Sequence, residues 1–183
     1  MKTLGLDLSL TNSGVVLLED GIAKERYLIQ TTAEVSDIDR FAYIAGSVMG
    51  QVIDGTMAES RVDLVAIEGV YASKNALTYG RLISLSAIVQ FCLYRSKIPY
   101  VILPPSTWRR IVFGPKSKID KERERVVIST RLKDHLGSID VEKVDLNVLE
   151  AFCVALAAWK AALDPSLNPA KPPRRARTPK AVA

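Results

Sequence analysis

The chain has 183 residues, 48% of them hydrophobic, and a formal net charge of +5. That is enough for one domain of ordinary size with a real core. No stretch reads as a membrane span, because each long apolar segment is broken by charge or has helical period. A secretory signal is not expected either, since Asp7 comes too early and no cleavage site follows.

Lys2–Leu8 is predicted as a buried strand. "SGVVLLEDG" follows as a second strand ending in a Glu-Asp-Gly turn, and Ile22–Thr31 returns as a third. Ser36–Ile53 has helical period, with Ser36 as its cap. "VDLVAIEG" is a short apolar strand ending in Glu68-Gly69. "YASKNALTYG" is a loop running into a helix that extends to about Tyr94. "PYVILPP" is a strand stopped by prolines, and Ser106 is expected to cap a short helix over Trp108–Val112. A basic loop, "FGPKSKID", leads into a charged helix ending near Leu136. The last helix is expected over Asp145–Leu163. Residues 1–163 thus make one domain, and 164–183, Pro-rich and basic without apolar period, read as a flexible tail.

This order builds an α/β fold: a mixed sheet with a three-strand antiparallel meander, further parallel strands and flanking helices. Sites in such sheets lie beyond the carboxyl ends of the parallel strands. Charge is distributed unevenly. Pro105–Leu136 has nine Lys/Arg against four acids, and Asp164–Ala183 has five against one. Two basic segments on a mildly acidic body suit a polyanionic partner, although a solvated helix face and a solubilising tail have the same composition. Cys92 and Cys153 lie in apolar helical segments and read as buried free thiols of a reducing, cytoplasmic compartment.

Asp7 and Glu68 interrupt or end the most apolar strands in their neighbourhoods. Strands one and four are parallel neighbours in this topology, so the two carboxylates are expected side by side. Either acid alone is well explained by a salt bridge or a loop hydrogen bond. As a pair they repel, and a divalent cation relieves the repulsion. In the last helix Asn147 and Glu150 share a face, and Glu150 lies beyond the first turn among apolar residues. Three such carboxylates suit two Mg²⁺ ions about 4 Å apart, the equipment of phosphodiester hydrolysis. His135 is assigned no catalytic role, and "GLDLSLTNSG" lacks the lysine of a P-loop.

Three stretches carry a family likeness. "GLDLSLTNSG", "VAIEGVYASKNALTYGRL" and "NVLEAFCVALA" together resemble, in order and spacing, the motifs of the RuvC family of Holliday junction resolvases, within the RNase H-like superfamily. The likeness runs from Met1 to about Ala162. It implies an RNase H-like, homodimeric, Mg²⁺-dependent endonuclease, with Mn²⁺ substituting, that nicks four-way DNA junctions symmetrically. It makes Asp7, Glu68 and Glu150 catalytic metal ligands, with Asn147 as a weak one. It also makes Tyr71 the aromatic residue that enters the junction. Lys74, Asn75, Arg109, Arg110, Lys116, Lys118 and Lys121 become DNA contacts. The helix after Asn75 corresponds to the family's dimer region, where Leu82, Leu85 and Val89 face either the partner or the core.

The motif departs from the family in two places. Glu150 stands where Asp is usual, and Asn147 stands where a further acid is expected, with Asp145 two residues earlier. The alternatives are therefore a branched-DNA binding protein with weak or no nuclease activity, or a fork and flap nuclease of the same fold. A short chain with this motif and a basic tail also suits a phage-encoded version, acting in a bacterial or phage-infected cell without a membrane partner.

Overall fold

The computed structural model describes residues 1–53, 62–71, 75–115 and 121–167. Strand β1 (Lys2–Asp7) pairs antiparallel with β2 (Asn12–Glu19), which pairs antiparallel with β3 (Ile22–Gln30). The β2–β3 turn is Asp20-Gly21, both at positive φ (48° and 79°), the backbone that matches the twist of a two-residue hairpin. Strand β4 (Leu64–Glu68) then lies parallel to β1, and β5 (Tyr100–Leu103) lies parallel to β4. The sheet order is β3-β2-β1-β4-β5. The mixed sheet expected from the sequence is therefore present.

Helices α1 (Asp37–Ile53) and α2 (Ala76–Arg95) make the crossovers into β4 and β5. Phe41, Ile44 and Val48 of α1 and Leu85, Val89 and Leu93 of α2 pack with Leu4, Leu6, Val65 and Ile67 on one face of the sheet. Leu85 and Val89 thus belong to the core. The other face carries α3 (Pro105–Phe113), α4 (Lys121–Arg131) and α5 (Leu146–Leu163). There Trp108, Ile128 and the α5 residues from Val148 to Ala158 pack on Val16, Leu18 and Ala66. By length and composition both α2 and α5 are apolar enough to span a membrane, but α5 is enclosed by the protein itself.

The helix starts follow local chemistry. The Asp39 N–H donates to Ser36 Oγ at 3.3 Å, as expected of a cap. The cap of α2 is Asn75, whose Oδ1 accepts from the N–H groups of Leu77 and Thr78 at 3.0 and 3.1 Å. Helix α3 begins at Pro105 rather than after a Ser106 cap. Proline fits a first helical position because its fixed φ is already helical and the missing N–H would have no partner there. Helix α4 stops at Arg131, and a separate 3-10 turn spans Lys133–His135. Asp145 caps α5, accepting from the Asn147 N–H at 2.9 Å.

Two glycines set how close α5 comes to the sheet. A Cβ on Gly5 would overlap the carbonyl oxygen of Ala151, and one on Gly14 would overlap that of Asn147. Bare backbone on β1 and β2 therefore lets the first turns of α5 rest directly on the strands. Beyond α5 a 3-10 turn, Pro165–Leu167, follows, and Leu167 still packs on the core. Residues 168–183 of the expected tail lie outside the described residues.

Candidate active site

Side chains alternate along a strand, so parity decides which face each acid occupies. Leu4 and Leu6 point to the α1–α2 face, which sends Gly5 and Asp7 to the α5 face. Val65 and Ile67 likewise leave Ala66 and Glu68 toward α5. In the parallel register Leu6 pairs with Ile67, so Asp7 and Glu68 come one residue later on both strands. They meet at the carboxyl ends of adjacent parallel strands. Glu150 comes down from α5, one turn after Asn147, whose backbone Gly14 receives.

The three acids form one cluster, with one carboxylate oxygen from each lying within 4.8 Å of the others. Asp7 and Glu150 are buried and Glu68 is half-buried. Burial, and then the neighbouring Glu68 and Glu150, push the Asp7 carboxyl well above its usual range. An all-oxygen, multiply anionic donor set is the chemistry of a hard divalent cation such as Mg²⁺ or Mn²⁺. The cluster lines a cavity of about 480 Å³ together with Ser9, Gly69, Tyr71, Leu82, Arg109 and Asn147.

Helix α3 supports this cluster from the side. The Trp108 indole N–H donates to Glu68 Oε1 at 2.9 Å, and the ring is fully buried. The next residue, Arg109, donates from Nη2 to Glu150 Oε1 at 3.1 Å and lies 3.3 Å from Glu124 Oε1 of α4. Its guanidinium also stacks over Trp108, 4.5 Å from the ring centroid. Trp108 and Glu124 are site residues that the sequence reading did not include. Trp108 has a usable signal: a donor-bearing aromatic in a short helix that starts where β5 ends, beside the end of β4. Glu124 has none, because it lies inside the charged run "KERER".

The other expected residues are distributed as follows. Asn147 lines the cavity and donates from Nδ2 to the carbonyl of Asn12, while Asp145 is engaged as the α5 cap. Tyr71 is 79% exposed at the cavity edge. Leu82 lines the cavity rather than the deeper core. Asn75 caps α2, and Arg110 is exposed on α3. Lys74, Lys116, Lys118 and the side chain of Lys121 lie outside the described residues.

Comparison with known proteins gives a consistent answer. No family model matches the chain. It is 25% identical over 163 residues to the crossover junction endodeoxyribonuclease RuvC of Streptomyces avermitilis, covering 88% of this chain and 89% of that protein. Thermus thermophilus RuvC, solved in complex with Holliday junction substrate, superposes with a TM-score of 0.72 at 14% identity, covering 90% of this chain and 96% of that one. The chain has the RuvC fold. A second Thermus thermophilus RuvC structure gives a TM-score of 0.68 at 16% identity, over 89% of this chain and 96% of that one. The yeast mitochondrial Holliday junction resolvase Ydc2 gives 0.58 at 16% identity, over 88% and 79% of the two chains. On this RuvC-like fold the acidic cluster at the strand ends, which could hold a metal ion, is the candidate catalytic centre.

Proposed function

We propose that this chain is a metal-dependent endonuclease that resolves four-way DNA junctions by paired symmetric nicks. The observation that carries the reading is the cluster of Asp7, Glu68 and Glu150, opening into a cavity whose edge bears the exposed Tyr71. The donor set fits Mg²⁺, with Mn²⁺ able to substitute. Asp7, Glu68 and Glu150 would hold the cation, and Asn147 would offer at most a neutral amide oxygen. Bound divalent cations supply Lewis acidity toward the scissile phosphate and lower the pKa of water. The chain's own residues do the rest. Trp108 orients the Glu68 carboxylate, Arg109 orients that of Glu150, and Tyr71 stacks on bases at the branch point. Arg110, Lys116, Lys118 and Lys121, with Lys74 and Asn75, supply contacts to the DNA backbone.

The proposed unit is a homodimer, because a two-fold protein matches a junction with near two-fold symmetry. Helix α2 supports this. Leu77, Gly80, Ser84, Ala87, Phe91 and Tyr94 are all exposed, and their alternating spacing of three and four forms one seam. The proposed compartment is the cytoplasm.

A cleavage panel tests the function: labelled four-way junction, flap, fork, plain duplex and RNA–DNA hybrid, each with Mg²⁺ or Mn²⁺. Paired nicks in the junction, and none in duplex, are the expected result. A second reading has one observation in its favour. Asn147 supplies an amide, not a carboxylate, and that amide donates to the Asn12 carbonyl. Junction binding without nicking in either metal would select a branched-DNA binding protein.

A further inference from the structure

Helix α4 is a charged surface helix, yet one of its carboxylates points inward. Glu124 is fully buried between two exposed or half-buried arginines, Arg123 and Arg125. Arg125 is occupied elsewhere, donating to the carbonyls of Val141 and Val144. Burying a carboxylate is unfavourable unless it is paired, and a buried ion pair is weak support for stability in itself. Among the groups that Glu124 meets is Arg109, the same guanidinium that reaches Glu150 of the acidic cluster. One Nη2 group is thus shared between a carboxylate of the site and a carboxylate behind it.

We infer that Glu124 is a positioning and charge-balancing residue for the metal site. It neutralises and anchors Arg109, so that Arg109 orients Glu150 without expelling a divalent cation from it. A guanidinium beside Glu150 with no counter-charge would compete with the cation for that carboxylate and repel the cation directly. Paired with Glu124, Arg109 withdraws less negative charge from the site, so that Asp7, Glu68 and Glu150 keep more of their attraction for a cation. Arg109 nevertheless retains its hydrogen bond to Glu150 and its stack on Trp108, which in turn holds Glu68. Two consecutive residues of α3 therefore fix two of the three acids, and Glu124 is the anchor behind them.

This inference rests on the metal-binding reading above, and the experiment separates the two. Mn²⁺ binding to the full chain is measured by titration calorimetry and by the Mn²⁺-induced shift in melting temperature. The proteins are the parent, Glu124→Gln, Glu124→Asp and the double variant Glu124→Gln with Arg109→Gln. Glu124→Gln is expected to weaken Mn²⁺ binding by about tenfold, equivalent to about 1.4 kcal/mol. Glu124→Asp keeps the charge and is expected to stay within about threefold of the parent, equivalent to about 0.7 kcal/mol. The double variant loses the hydrogen bond to Glu150 but also the uncompensated guanidinium, and is expected to bind Mn²⁺ more tightly than Glu124→Gln alone. A purely structural Glu124 would lower the melting temperature equally with and without Mn²⁺, and that result overturns the inference. If Glu124→Gln does not fold, a tenfold loss in Glu124→Asp overturns it as well. No Mn²⁺ binding by the parent overturns the metal reading and this inference together, whereas parent-like binding by Glu124→Gln overturns this inference alone.

Discussion

Asp7 sits where water solvates it poorly and where two further carboxylates oppose its charge. Without metal, the native state therefore holds the Asp7 proton more tightly than the unfolded chain does, whose value is near 3.8. The sign follows from linkage: the stability contributed by this proton is fully present below that value and is lost as pH rises through the raised native titration. Metal-free melting curves across this window are expected to fall with pH for the parent and to be flatter for Asp7→Asn. At neutral pH, Mg²⁺ should raise the melting temperature of the parent but not that of Asp7→Asn, and the variant should not nick junctions. Asn147 makes the opposite case, since its Nδ2 donates to the Asn12 carbonyl and a carboxylate there would face an oxygen with an oxygen. Asn147→Asp is expected to destabilise the metal-free protein by about 0.5–1.5 kcal/mol, the net value of one hydrogen bond at this half-buried position. Urea unfolding with and without Mg²⁺ checks this, and a metal that uses the new carboxylate should recover part of the loss.

At the scale of elements, the site depends on how α5 rests on the meander. Glu150 reaches Asp7 only because Gly5 and Gly14 present no side chain to the helix backbone. Gly5→Ala would have to push Ala151 and Ala155 away, and overpacking of this kind costs about 1–3 kcal/mol. The expected outcome is a folded but less stable protein with weaker Mn²⁺ binding, read by unfolding and calorimetry on the same sample. Unchanged metal affinity would mean that the acids do not depend on the α5 seat. Helix α3 shows the same logic from the other side, because its proline start places Trp108 and Arg109 where the strand ends already hold Glu68.

Two predictions belong to the whole molecule. The α2 seam has small residues, Gly80, Ser84 and Ala87, at its centre and Leu77, Phe91 and Tyr94 toward its ends. Ala87→Glu puts a charge in the middle of that seam, and if the proposed dimer forms there, sedimentation is expected to show a shift from dimer toward monomer with junction cleavage falling in parallel. A dimer of undiminished stability would place the interface elsewhere. The carboxyl-terminal segment is the second case. Leu167 packs on the core, so the truncation that leaves the body intact removes residues 168–183, which carry five basic residues and no acid. Junction affinity should drop, and the salt dependence of log K should become shallower by about 0.9 for each phosphate that the segment had neutralised. Equal slopes for the two proteins would show that the segment does not touch the DNA.

Much of this protein follows from local pattern. Apolar runs bounded by turns marked all five strands, and the order of elements led to the mixed sheet with β1 beside β4. Asp7, Glu68 and Glu150 were legible for one reason: a charge inside an apolar run is costly and therefore conspicuous. The rest depended on distances between segments far apart in the chain. Asn75 as the α2 cap and Asp145 as the α5 cap emerge only once the helix starts are set. Leu85 and Val89 turn to the core because that face of α2 packs on Leu4, Leu6, Val65 and Ile67, a choice of face that periodicity alone leaves free. Trp108 meets Glu68 across 40 residues, and Arg109 meets Glu150 across 41. Glu124 is the extreme case: in "KERER" nothing distinguishes it from its solvated neighbours, and only the packing of α4 against α3 and α5 makes it a buried partner of the site.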